Sequence, residues 1–459
     1  MIKGIITFLK AIQVRKAHSL GIFLGSLFIF LGGCKEAYTP DLWDQYFQLM
    51  QGEWNEKLTE VIIEDIFTPP VASRIYAYSN IAAYEAMQAR DSTYISLAGQ
   101  LNGLEALPQP KHPENTYFPL SGLIAFTTCA QKLVFAADRV QEFEQNYLKQ
   151  VEAWGIQGNI RQNSVEWGRK VGEAISAWAN EDGYHQRQAL PAHFYSEDDS
   201  AWTPTPPTYM QGIEPHWNTL RTFVLDSAKQ FKPLPPTQFN TDPKSRFFLE
   251  AQEVYQTVKN AGEEEIEIAK FWDCNPNIAY FKGHVMMFHQ KISPGGHWIS
   301  ITDLASKKQQ LSIMEEAEAF AVTSIALADA FISCWDEKYR SNLIRPETYI
   351  ERHIDSTWFP LLETPAFPEY TSGHSVISAA AATTLSHLLG DQVEFVDSTE
   401  VKFGLPARSF ASFAHAADEA AISRLYGGIH YRPAIENGVA QGKEIGAWVL
   451  DNLQTKKEQ

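Results

Sequence analysis

The sequence predicts an all-α protein, and three observations carry that prediction. Apolar residues recur three and four apart over most of the chain, no stretch shows the alternation of a half-buried strand, and Pro, Gly and capping residues punctuate the helical stretches. Asp41 to about Glu64 and Ser73 to Arg90 each carry a core-facing stripe, with Trp43, Phe47, Met50 and Trp54 in the first and Ile75, Ile81, Tyr84 and Met87 in the second. Further helices are expected at about 119–137, 140–154 and 159–180. Residues 183–242 then break the pattern with Trp202-Thr-Pro204-Thr-Pro206-Pro207 and Pro233-Leu-Pro235-Pro236. Trp202, Trp217, Phe223 and Phe231 would not be left in water, so this excursion is expected to be an ordered covering loop. Helices resume at about 244–259 and 262–272, Phe271-Trp-Asp-Cys-Asn-Pro276 interrupts them, and Pro294-Gly-Gly-His-Trp298 reads as another turn. The longest helix is expected at about 307–335, where Ile313, Ala317, Phe320, Ala321, Ile325, Ala328 and Phe331 suit a buried place in a bundle. Val376–Leu389 and two helices at about 412–426 and 433–452 complete the chain.

Length, charge and cysteine usage bound the function. A chain of 459 residues supports a large core, and a formal charge of −17 argues against a nucleic-acid binder, so any positive pocket must be local. Cys129, Cys274 and Cys334 make no close-spaced metal pattern, and a disulfide framework is not expected beyond one pair at most. Residues 1–33 hold Lys3, Lys10, Arg15 and Lys16, no acid, and the apolar run Leu20–Leu31, the pattern of an export signal. The run ends Leu31-Gly32-Gly33-Cys34, which resembles the lipobox of bacterial lipoproteins. That resemblance implies lipidation of Cys34, a membrane anchor, and a location facing the periplasm or the cell surface.

Three short stretches carry the chemistry. In Pro368-Glu-Tyr-Thr-Ser372-Gly373-His374-Ser375 the prolines Pro365 and Pro368 hold the chain extended and Thr371 or Ser372 can cap the helix that follows. The free N–H groups of such a helix start favour an anion, Gly373 lets the backbone approach it, Ser372 offers a hydroxyl and His374 a titratable ring. Lys338-Tyr-Arg-Ser-Asn-Leu-Ile-Arg345-Pro346 supplies two cations, a compact ammonium and a planar fork of donors suited to a tetrahedral oxyanion. In Ser423-Arg424-Leu-Tyr-Gly427-Gly428-Ile-His430, Arg424 falls in the last turn of a helix that Gly427-Gly428 ends, and His430 on the short turn before Pro433 can aim a ring nitrogen into a pocket.

In this order and spacing, Lys-x6-Arg-Pro, Pro-x-x-Tyr-x-Ser-Gly-His and Ser-Arg-x-x-x-Gly-x-His resemble the signature shared by vanadium-dependent haloperoxidases and type-2 phosphatidic-acid phosphatases. The Trp202-Thr-Pro, Phe271-Trp-Asp and Pro294-Gly-Gly-His-Trp segments extend the likeness to soluble, bacterial iodoperoxidase-like members, so it covers most of the chain. The resemblance implies two four-helix bundles around a C-terminal oxyanion site. In domain terms the export pattern marks a signal at 1–33, and the resemblance implies an N-terminal helical region with its covering loop at 34–300 and a phosphatase/haloperoxidase core at 301–455. It also implies vanadate held through one imidazole nitrogen of His430, with Lys338, Arg345, Arg424, the Ser372 hydroxyl and the Gly373 N–H on its oxygens and His374 as acid–base group. Hydrogen peroxide and halide would be the substrates, iodide first, and hypohalous acid the product. Vanadium does not change oxidation state in such a scheme, so no obligate protein partner is implied. Trp335 and Phe367, close in sequence to the anion-binding pieces, are the candidates for lining a halide pocket.

One position departs from the family pattern. Many members carry Asp four residues after the ligand His, and here that position is Ala434, so either Asn437, Glu436 or a backbone carbonyl orients His430 or the ring is left less basic. The alternatives are an acid phosphatase with His430 as nucleophile and His374 as general acid, and an inactive lipoprotein that uses the fold as a binding scaffold.

Overall fold

The computed structural model describes residues 40–276, 279–282, 284–288 and 290–457, so the export segment and Cys34 lie outside the described residues. The stretch expected as one helix from Asp41 is two, α1 (Pro40–Phe47) and α2 (Gln51–Glu64), because Leu49 turns with φ at +60°. A leucine in that left-handed region cannot continue a right-handed helix. Next come α3 (Pro69–Met87), α4 (Phe118–Gln131), α5 (Ala137–Ala153) and α6 (Gly158–Ala179), at the places their apolar spacing predicts. The 183–242 excursion has no α-helix, and it buries Trp202, Trp217 and Phe223.

α7 (Arg246–Lys259) and α8 (Glu263–Phe271) lead to a short antiparallel ribbon, β1 (Ala279–Lys282) with β2 (Val285–Phe288). Pro294-Gly-Gly-His-Trp298 is not the turn its glycines suggest but the opening of α9 (Pro294–Gln309). Ser293 caps it, accepting from Gly296 N–H at 3.1 Å, and Pro294 sits where a helix needs no N–H. Gly296 is there for proximity: a Cβ on it would stand 2.9 Å from the Tyr76 hydroxyl of α3. The expected 307–335 helix is accordingly displaced. Gln310, with φ at +54°, ends α9, and a Ser312/Glu315 capping box starts α10 (Ile313–Ser341). Then follow α11 (Pro346–His353), α12 (Gly373–Leu389), a second ribbon of β3 (Phe395–Asp397) with β4 (Arg408–Phe410), α13 (Phe413–Tyr426) and α14 (Arg432–Asn452). Neither ribbon is long enough to have shown alternation in the sequence.

Two helical bundles result. α4 packs on α3, α5 and α6, and α12 packs on α10, α13 and α14; α10 also lies against α3, so it forms a wall common to both. In the second bundle Gly438, Gly442 and Gly446 let α14 come close to α12, and a Cβ on Gly442 would stand only 2.1 Å from the Val376 carbonyl. The covering excursion is pinned to α10 by Asp329, whose carboxylate accepts from the N–H groups of Phe223, Val224 and Leu225 at 2.7, 2.8 and 3.1 Å. Cys129, Cys274 and Cys334 are buried and unpaired.

Candidate active site

The three motif stretches meet at the ends of α10, α12 and α13. Lys338 is in the last turn of α10, fully buried, and its ammonium donates to the carbonyls of Pro368 and Glu369, both at 3.1 Å, and of Thr371 at 2.5 Å. Burial pulls its pKa down to about 7, with the nearby Arg345 charge acting in the same direction. Asn342, with φ at +46°, closes α10, and Arg345 caps α11 just before Pro346. The Arg345 guanidinium donates through Nε to the Phe367 carbonyl at 2.9 Å and through Nη1 to the Ile429 carbonyl at 2.7 Å and to His430 Nε2 at 3.1 Å. Its Nη2 is buried without a partner, and burial lowers its pKa to about 10.

Ser372 caps α12, accepting from Ser375 N–H at 3.4 Å, so Gly373 and His374 occupy the first helical positions, whose N–H groups have no partner inside the helix. His374 Nε2 is buried and unpartnered. Burial and the Arg424 charge hold this ring's pKa well below its ordinary value. Arg424, in the last turn of α13, is fixed by Nη2 donating to the Trp272 carbonyl at 2.7 Å and Nε donating to Ser423 Oγ at 2.9 Å. His430 follows on the turn made by Gly428, where φ is +78° and an added Cβ would meet Val258 at 2.8 Å.

What orients His430 is none of the three groups the sequence offered. Ala434 supplies only its carbonyl, which accepts from Ser372 N–H at 3.0 Å. Glu436 pairs loosely with Arg432 at 3.9 Å. Instead Glu369, in the extended run before α12, accepts from His430 Nδ1 at 2.8 Å and from Tyr431 N–H at 2.9 Å through the same oxygen. This fixes the tautomer: the proton sits on Nδ1, and the Nε2 lone pair faces Arg345 and the cavity. Burial and the charges of Arg345 and Lys338 hold the imidazole well below its ordinary pKa, hence neutral. Glu369 is quoted in the motif, yet nothing in the sequence singled it out, because its partner is 61 residues away.

Gly373, His374, Arg424 and His430 line one narrow cavity, with Trp335 and Phe367 in its wall; Lys338, Arg345 and Ser372 stand behind that lining. The two rings meet at 5.0 Å between centroids, and the Lys338 and Arg345 charges lie 5.0 and 5.1 Å from the Phe367 centroid. These groups fit an oxyanion such as vanadate. The His430 Nε2 lone pair, which accepts from Arg345 Nη1, the unpartnered Arg345 Nη2 and His374 Nε2, and three buried cations lie together where several negative oxygens would need donors.

The model of the VCPO second helical-bundle domain matches residues 318–458, which contain all three motif stretches. No curated protein matches. Among solved structures, the first bacterial vanadium-dependent iodoperoxidase is 47% identical, covering 88% of this chain and 96% of its own, with a TM-score of 0.83. The holo and apo forms of a bacterial vanadium-dependent chloroperoxidase are each 14% identical, cover 84% of this chain and 93% and 95% of their own, and have TM-scores of 0.66 and 0.63, which is likeness of fold. With a relative of that identity matching over nearly its whole length, the chain belongs to the vanadium-dependent haloperoxidases, peroxidase oxidoreductases that work with vanadate.

Proposed function

We propose that this enzyme uses hydrogen peroxide to oxidise iodide, uses bromide poorly and chloride not at all, and releases hypohalous acid. The observation that carries the reading is the pair of rings, Trp335 and Phe367, in the wall of the cavity that His374 and His430 line. Aromatic walls strip water from an arriving anion, and iodide gives up its hydration most readily and is the easiest halide to oxidise. The 47% identical relative is itself an iodoperoxidase.

In this reading His430 ligates vanadate through Nε2, while Arg345 and Arg424 donate to its oxygens. Lys338 acts through its charge, since its three N–H groups are spent on backbone carbonyls. Ser372 accepts at its cap, so its hydroxyl hydrogen stays available to an oxygen, as does the Gly373 N–H. Bound vanadate supplies the Lewis-acidic centre at which peroxide becomes electrophilic. His374, held neutral, starts as a proton acceptor and returns the proton when water leaves. The reading includes a lipid anchor at Cys34, supported by the Leu31-Gly32-Gly33-Cys34 sequence.

A second reading, phosphate-ester hydrolysis, gains support from one contact. Glu369 on His430 Nδ1 would orient a nucleophilic imidazole as well as a ligand, which Ala434 alone could not. The deciding experiment incubates the purified protein with vanadate, peroxide and each halide in turn, beside a phosphatase assay without vanadate. Iodide oxidation that needs vanadate is expected. Efficient chlorination, or ester hydrolysis faster than any halide oxidation, would overturn the first reading. Replacing Trp335 or Phe367 by Leu should shift the bromide-to-iodide ratio while vanadate stays bound, and an unchanged ratio in both variants would remove these rings from selectivity.

A further inference from the structure

Beside the oxyanion site, and reaching its cavity wall at Cys274, lies a second cluster to which the proposed halide oxidation assigns no role. Cys274 follows α8, His297 is in the first turn of α9, Asp397 ends β3 and Glu400 lies in the turn after it. All four are buried. His297 Nδ1 stands 3.3 Å from Cys274 Sγ and 3.4 Å from Glu400 Oε1, and the thiol is 4.0 Å from that same oxygen. On its other side His297 Nε2 lies 2.7 Å from Asp397 Oδ2, and the Trp272 ring stacks on the imidazole at 4.6 Å.

We propose that Cys274, His297 and Glu400 bind a divalent metal ion of zinc type, with Asp397 as the carboxylate that orients the histidine. Zinc takes thiolate, imidazole and carboxylate ligands at about 2.0 to 2.3 Å, and a tetrahedron with those radii has edges of about 3.4 to 3.6 Å. The observed triangle of 3.3, 3.4 and 4.0 Å brackets these values, so an ion fits between the three atoms with shifts of a few tenths of an ångström. The contact to Glu400 is, by contrast, beyond the usual N–H···O range, and one Nδ1 proton faces two acceptors. A hydrogen on Nε2 donated to a carboxylate, leaving Nδ1 for the metal, is the arrangement in which histidine most often serves a metal. Charge agrees with geometry. A thiolate and a carboxylate neutralise a divalent ion, which would take over the counter-charge that the His297 ring offers these two acids. Three protein ligands leave a fourth position for water or a further group.

An ion there would brace local structure while keeping its fourth position open. It ties the segment after α8, which carries Trp272 and hence the carbonyl holding Arg424, to α9 and to the β3 turn. It does not depend on which halide or ester the oxyanion site handles.

The test measures zinc and vanadium separately in the full-length enzyme after growth with zinc and dialysis against a mild chelator. One zinc per chain is expected, retained whether or not vanadate is present. Exchange with cobalt(II) should give the intense visible bands of a tetrahedral ion and a near-ultraviolet thiolate charge-transfer band. Cys274→Ser should remove that band, Cys129→Ser should leave it, and Asp397→Asn should weaken zinc binding about 10- to 100-fold. Where Cys274→Ser does not fold, the wild-type cobalt spectrum and the Asp397→Asn affinity decide. Absence of stoichiometric zinc, cobalt bound without the thiolate band, or full metal retention in Cys274→Ser would each overturn the proposal.

Discussion

Replacing Glu369 by Gln tests whether the carboxylate behind His430 matters to cofactor binding. The substitution keeps volume and leaves an amide oxygen that can accept from His430 Nδ1 and Tyr431 N–H, at present 2.8 and 2.9 Å from Glu369 Oε1. What changes is charge, provided the titration is run near pH 8, because burial lifts the Glu369 pKa to about 7. A hydrogen bond to an ionised group contributes about 1.5–3 kcal/mol and a neutral one about 0.5–1.5, so the imidazole loses about 1 kcal/mol of polarisation as a ligand. At 1.4 kcal/mol per decade, that is a vanadate Kd weaker by about five- to tenfold. Glu369→Ala should do more, because two buried N–H groups lose their acceptor; about 10- to 100-fold is expected, the usual range for groups behind a metal ligand. The assay titrates the vanadate-free enzyme with vanadate and reads iodide oxidation, with thermal unfolding run in parallel to show that each variant is folded. A folded Glu369→Gln and a folded Glu369→Ala that both bind vanadate as the wild type does would refute the reasoning.

Other expectations concern the scaffold. Gly442→Ala puts a methyl 2.1 Å from the Val376 carbonyl and must push α14 off α12, which should cost about 1–3 kcal/mol and lower Tm; an unchanged Tm would mean the helices adjust freely. Glu316, at the start of α10, accepts from Gly52 N–H at 3.0 Å, and burial lifts its pKa to about 8. With a folded pKa above the ordinary value of 4.5, its contribution to stability is fully present below about pH 4.5 and lost as pH rises towards 8. Glu316→Gln should therefore flatten that part of the stability–pH profile, by on the order of 4 kcal/mol between pH 5 and 9, and an identical slope in both proteins would contradict the assignment. Cys34→Ser should release the enzyme from membranes with unchanged catalytic constants. Wild-type protein recovered soluble, with an unmodified Cys34, would dispose of the anchor.

Much of the site was legible because its parts sit at helix ends, where sequence leaves marks. Pro346, Gly427-Gly428 and the Ser372 cap each declared a boundary, and the structure has α11, α13 and α12 begin or end there. Glu369 left no such mark: it sits in extended chain between Pro368 and Tyr370, and only the folded return of residue 430 gives it a partner. The same holds for the Cys274, His297 and Glu400 cluster, whose members come from three separate elements. In the fold, Pro294-Gly-Gly was misread as a turn because glycine has poor helix propensity, an argument overridden by the need for α9 to pass close to Tyr76. The α1/α2 break at Leu49 was invisible for the opposite reason, since a leucine at φ +60° is not what the residue type favours.

Lys338 spends its three N–H groups on the carbonyls of Pro368, Glu369 and Thr371. A cation gripped by its own chain needs no anion to hold it in place, and in return it laces the run before α12 to the last turn of α10. Fixing a long side chain costs about 0.5–1.5 kcal/mol of conformational freedom, and here that cost falls on folding rather than on association. Vanadate arriving at such a pocket meets a preorganised receptor. Its capture should then follow a simple second-order course, with no slow ordering of the 368–371 run between encounter and activity.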